Sequence, residues 1–98
     1  MTFNPNYYVS ASESIILSGT VKWYENGPLE NLILTNKKVI MAGNDCLDIM
    51  PLNQIAYICY STDRIKIVAS NGYELGLYYL GNPSWYNEIV TEISKRIG

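Results

Sequence analysis

The sequence predicts a mainly β domain with one C-terminal α-helix, built as a partly open barrel of about seven antiparallel strands that the helix caps. Three observations predict it. Short runs of aliphatic, β-branched and aromatic residues alternate with polar residues at period two. Turn signals interrupt these runs every ~8–12 residues, the spacing of small β-sandwiches and barrels. Helical periodicity occurs once, at the C-terminal end.

Residues 1–12 read as an irregular, polar lead-in, with Asn4-Pro5-Asn6 as a turn signal. The folded domain is expected over residues 13–98. Ile15, Leu17, Gly19, Val21 and Trp23 share one face of a first strand, with Ile16 out of phase and Gly19 marking a bulge or bend. Glu25-Asn26-Gly27-Pro28 is a turn. Asn31–Thr35 and Lys38–Ala42 form a tight hairpin around Asn36-Lys37. After Gly43-Asn44-Asp45, a strand runs from Cys46 to Met50 and stops at Pro51. Ile55–Ser61, Ile65–Ala69 and Tyr73–Tyr79 complete the strands, with turns at Thr62-Asp63 and Asn71-Gly72. Asn82 and Pro83 then suit a helix start. Trp85, Ile89, Val90, Ile93 and Ile97 recur at helical spacing as an apolar stripe for the core, with Lys95 and Arg96 in the last turn.

The chain has 98 residues, enough for one domain and too few for a deep catalytic cavity beside a core. Charged residues make up 16%, below the ~25% of typical domains, and nine tyrosines fill part of the gap. A net charge of −2 lacks the basic excess of a nucleic-acid binder. Histidine is absent and there are two cysteines, Cys46 and Cys59. That removes the commonest general base and most zinc sites, so neither metal nor cofactor is expected, and a non-catalytic protein is. The lead-in resembles no secretory leader, and no apolar run approaches the ~20 residues of a membrane span. The expected setting is cytoplasmic with reduced thiols, with a cross-strand disulfide left open.

Four stretches resemble the bacterial pleckstrin-homology-like (PH-like) and GRAM-like domains. They are Glu13-Ser14-Ile15-Ile16 opening the first strand, the hairpin from Leu32 to Ile40 with Leu34-Thr35-Asn36-Lys37 at its turn, the corner Ile49-Met50-Pro51-Leu52-Asn53-Gln54-Ile55, and the closing helical stripe. A stand-alone domain of this kind fits a bacterial or phage source and, as a first hypothesis, an adaptor or regulator. PH-like folds host several kinds of binder, so the resemblance implies fold more than function.

Three readings of function follow. The first is recognition of another protein, with Tyr24, Ile58, Tyr60 and Tyr78 as outward aromatic or apolar contacts, and Leu29 beside Tyr24 across its turn. The second is homo-oligomerisation through exposed strand edges. The third is weak binding of an anionic lipid headgroup at the membrane through Lys22, Lys37 and Lys38. The second-strand positions Asn31, Ile33 and Thr35, where the family's lipid binders carry basic residues, are not basic here.

Overall fold

The computed structural model describes residues 4–43, 47–79 and 82–97. Asp45 and Cys46 therefore lie outside the described residues, and with them any pairing of Cys46. Seven antiparallel strands and one helix follow in order: β1 (Ile15–Val21), β2 (Glu30–Thr35), β3 (Lys38–Ala42), β4 (Leu47–Pro51), β5 (Ile55–Tyr60), β6 (Arg64–Ala69), β7 (Glu74–Tyr78) and α1 (Pro83–Ile97). The lead-in contains a 3-10 turn at Pro5–Tyr8, with the Asn4 side chain accepting from the Asn6 amide.

The strands form two meanders, a four-stranded sheet in the order β1-β2-β3-β4 and a three-stranded sheet in the order β5-β6-β7. A 3-10 turn at Leu52–Gln54 leads from one to the other. Among the described residues the sheets are not closed into a barrel. The single bridge outside the named strands, among the described residues, is Lys22↔Tyr78, which joins β7 to the end of β1, with the Tyr78 amide donating to the Lys22 carbonyl at 2.7 Å. On the other side the chain turns the corner at Pro51, and the amides of Leu52 and Ser70 pair with the Lys37 and Gln54 carbonyls instead of forming a β4–β5 ladder.

The alternation seen in the sequence decides which side chains meet. Leu32, Leu34, Val39, Met41 and Met50 from the first sheet face Ile55, Ile65, Ile67, Leu75 and Leu77 from the second. Tyr86, Ile89 and Ile93 of α1 complete this core. Each fully buried aliphatic side chain contributes about 1.5–3 kcal/mol. Ile33 and Ile40, paired across β2 and β3 on the opposite face, are also fully buried. Burial on both faces explains why β2 and β3 read as unbroken apolar runs.

Two details of β1 differ from the expectation. The register shift falls between Ile15 and Leu17, so Ile16 was out of phase because it occupies the bulge. Gly19 is instead a point of close approach. A Cβ there would lie 2.5 Å from Trp85 Cζ2, and only the bare backbone lets the indole lie against the strand. Trp85 Nε1–H then donates to the Thr20 carbonyl at 3.0 Å, and the Lys22 amide donates to the Tyr86 hydroxyl at 3.3 Å. Burial raises the pKa of that phenol against the opposing effect of the Lys22 amide, so it stays protonated at neutral pH. At the other end of α1, Glu92 bonds Lys95 and Arg96, at 3.3 and 3.2 Å.

Gly19→Ala is expected to lower stability by about 1–3 kcal/mol through overpacking against the indole. In a Trp85→Ala background the same substitution should cost a fraction of that, because the clashing atoms are gone. Urea unfolding of the four variants in a double-mutant cycle checks both statements; equal costs in the two backgrounds would contradict them.

Candidate binding surface

The bridge between β1 and β7 gathers several of the residues singled out in the sequence. Lys22 pairs with Tyr78 there, and its ammonium reaches back to the Glu25 carbonyl at 3.5 Å. Tyr78 is half-buried on the outer face of the second sheet, opposite Arg64 in register. Burial first, then the Glu25 and Asp63 carboxylates, raise its pKa and keep the phenol protonated. Tyr24 follows in the β1–β2 turn and is 48% exposed, its ring lying on Gly27, where a Cβ would be 3.1 Å away. Leu29 is exposed on the same turn.

Tyr60 and Ile58 do not behave alike. Tyr60 is 58% exposed and meets Tyr79 edge-to-face, with ring centroids 6.4 Å apart. Ile58, expected to point outward, packs against the core. The register shift between Ile55 and Tyr57 turns both Ile55 and Ile58 inward and leaves Tyr57 exposed. Tyr79 was not singled out in the sequence, yet it holds the β5–β6 turn: its hydroxyl donates to the Thr62 carbonyl at 2.9 Å. Asp48 lies on β4, within the strand expected there, and accepts the Tyr73 hydroxyl at 2.6 Å, linking the two sheets.

The three lysines do not form one cluster. Lys22 lies past the β1 terminus that pairs with Glu30, whereas Lys37 and Lys38 lie at the Thr35 end of β2. The six-residue length of β2 separates them by roughly 20 Å. Lys38 is moreover committed to Glu13, at 3.0 Å, and Lys37 Nζ donates to Ser12 Oγ at 3.0 Å. The Glu13 side chain is only 3% exposed. It accepts from Thr35 Oγ1 at 2.7 Å and from the amide and hydroxyl of Ser10, both at 3.1 Å. Thr35 Oγ1 itself accepts the amides of Lys37 and Lys38 across the hairpin turn, both at 3.0 Å. Desolvation would raise the Glu13 pKa, but the bonds from Thr35, Lys38 and Ser10 outweigh it and hold it at about 2.

Two concave regions bear on the site. A wide groove of about 660 Å³ lies between the β2–β3 turn, the Pro51–Ile55 corner and the end of α1, with Lys37 and Arg96 on its walls. Both cations there already have partners, Ser12 and Glu92. A smaller cleft of about 240 Å³ lies along β7 and is lined by Trp23, Tyr24, Asp48, Arg64, Tyr73 and Gly76, among others. It is below the ~300–1,000 Å³ of typical small-molecule sites and suits a short segment or one large side chain. Among the described residues, no three Cys, Asp or Glu side chains converge as a metal site requires, and no helix is long and apolar enough to cross a membrane.

No protein-family model matches the chain, and no curated protein matches it. Among solved structures, the C-terminal domain of an unknown protein from Leishmania infantum is similar, with a TM-score of 0.65 over 85% of this chain and 86% of that one. The two are 16% identical, so the likeness is one of fold.

Because the folded pKa of Glu13 is depressed from 4.5, its contribution is fully present above about pH 4.5 and is lost as pH falls toward about 2. Glu13→Gln should destabilise the domain by about 1.5–3 kcal/mol near neutrality and flatten the acid limb of its stability curve over that window. Urea midpoints measured across the window test this; parallel curves for the two proteins would exclude it. Tyr79→Phe should cost about 1 kcal/mol and raise amide exchange in the β5–β6 turn, without changing exchange in β2 or β3.

Proposed function

We propose that the chain is a non-catalytic binding module of the PH-like type that recognises another protein. Support for the type comes from the order of elements, a four-stranded and then a three-stranded meander followed by one helix. The observation that carries the function is a set of tyrosines that are each about half exposed yet individually held. Tyr24 rests on Gly27, Tyr60 on Tyr79, and Tyr73 is bonded to Asp48. Aromatic rings fixed before binding lose little entropy in an interface and present a large apolar area with a polar tip. Such residues dominate the energetics of protein–protein contacts.

Self-association is a second reading, favoured by Leu47 and Ile49. Both are about half exposed on β4, an edge strand, and Ile49 continues the apolar row Ile33–Ile40 across the sheet. The dispersal of Lys22 from Lys37 and Lys38 gives the lipid reading less support.

Capture of a bacterial lysate on the tagged chain, repeated at high salt, should retain one stoichiometric protein. Tyr24→Ala should weaken that capture at least tenfold while leaving the urea midpoint nearly unchanged. A native mass that is a multiple of 11.1 kDa, with no other protein retained, would replace this reading with self-association.

A further inference from the structure

Two sheets with open ends have four edge strands: β1, β4, β5 and β7. Proteins protect such edges, because unpaired amides and carbonyls invite another strand. Three of the four are protected here. On β1 there is a bulge, and α1 occupies its end through Trp85 on the Thr20 carbonyl and Tyr86 on the Lys22 amide. On β4 the acidic Asp48 alternates with the outward Leu47 and Ile49, and Pro51 ends the strand. On β5 there is a register shift, and α1 packs beside it. By contrast β7 pairs regularly with β6 through five residues, with no bulge and no proline. Its charged residue, Glu74, turns along the sheet toward Lys66, 3.7 Å away.

Only one end of that edge is engaged. The Tyr78 amide donates to Lys22, after which the β1 chain turns away at Tyr24–Gly27. Backbone groups alternate sides along a strand, so those of Gly76 and Glu74 point the same way as Tyr78, into the 240 Å³ cleft. No further bond from another strand reaches them among the described residues. A glycine within a strand often marks the approach of a second backbone, and a Cβ on Gly76 would meet nothing nearer than Arg64 Cδ at 3.8 Å. Two donors on the cleft walls, Trp23 Nε1 and Arg64 Nε, are buried and have no hydrogen-bond partner. The nearest carboxylate to Arg64 Nε is Asp63 Oδ1 at 4.0 Å, too long for a hydrogen bond. Buried donors are rarely left so, because each costs about 1–3 kcal/mol.

We propose that the β7 edge is the peptide-docking site of this module. It takes a short extended segment of the partner, paired with the backbone of Glu74 and Gly76 and continuing the line that β1 leaves at Lys22. The residue opposite Gly76 projects on the same face as Arg64 and is acidic, its carboxylate meeting the guanidinium. A carbonyl of the segment accepts from the Trp23 indole after a side-chain rotation of the kind common at interfaces. Tyr24 and Tyr73 flank the segment. The proposal rests on the protein-binding reading above and adds to it the place, the geometry and the chemistry of the ligand.

The probe is a phage-displayed library of random linear peptides, selected on the tagged chain and followed by amide and side-chain N–H spectra of the ¹⁵N-labelled protein with an enriched peptide. Enriched sequences should share one Asp or Glu within a β-prone stretch. Binding should shift the Trp23 indole and Arg64 Nε signals and slow exchange of the Gly76 amide at least tenfold. Arg64→Gln should weaken binding about tenfold or more. Gly76→Pro, which removes an outward amide and leaves the β6–β7 ladder bonds intact, should weaken it at least as much. If Gly76→Pro unfolds the chain, Arg64→Gln alone decides. Peptides that bind but perturb β5 and α1 instead of Gly76 and Trp23 would overturn the proposal and leave the protein-binding reading standing. So would a lysate partner that is captured while the library yields no binder. Failure of both library and lysate would remove the two readings together.

Discussion

Among the described residues the two sheets share one bridge pair, so they are kept together mainly by the packing of their inner faces on each other and on helix α1. A single bridge contributes about 1 kcal/mol, whereas burying Ile89 and Ile93 contributes about 1.5–3 kcal/mol each. The position of the helix follows from a fit between distant residues. Gly19 gives the indole of Trp85 its place, and the indole nitrogen and the Tyr86 hydroxyl then bond consecutive stretches of the same strand. The core faces of both sheets meet one helical stripe, and this replaces the hydrogen-bonded closure of a barrel.

A second tier of polar links fixes what the helix does not reach. Thr35 and Glu13 tie the lead-in to the β2–β3 turn, and Tyr73 and Asp48 tie β7 to β4. These links hold the ends of strands whose middles are held by packing. They also leave the exposed tyrosines on a firm base, so that binding there need not order a loop first.

Much of this architecture is legible in the sequence. Period-two alternation locates the strands to within a residue or two, and the Ile89–Ile93–Ile97 spacing locates the helix. What escaped follows from contacts between distant positions. Ile16 reads as a defect in the alternation, but a defect does not say that it is a bulge. Gly19 is compatible with a bulge or with close approach, and only Trp85, far along the chain, decides. The direction of Ile58 depends on the register shift after Ile55. Tyr86 lies outside the apolar stripe read from the sequence, and its burial beside the Lys22 amide follows from the fold. The exposure of Tyr24 and Tyr60 was legible from their places beside a turn and on the outward positions of a strand. The open edge of β7 was not, since strand order determines which strands lie at an edge.

The meanders also have a temporal consequence. Every strand in each sheet pairs with its neighbour in sequence, so both sheets assemble from local contacts, the kind that form early and fast. The contact of Trp85 with Gly19 spans most of the chain and must come after them. During synthesis the strands leave the ribosome ahead of α1, which is still within the exit tunnel, so the inner faces of Leu32, Ile67 and Leu77 lack its cover. For that interval the nascent chain presents an apolar surface of the kind that holdase chaperones bind, and it is relieved when the Trp85 turn of α1 emerges.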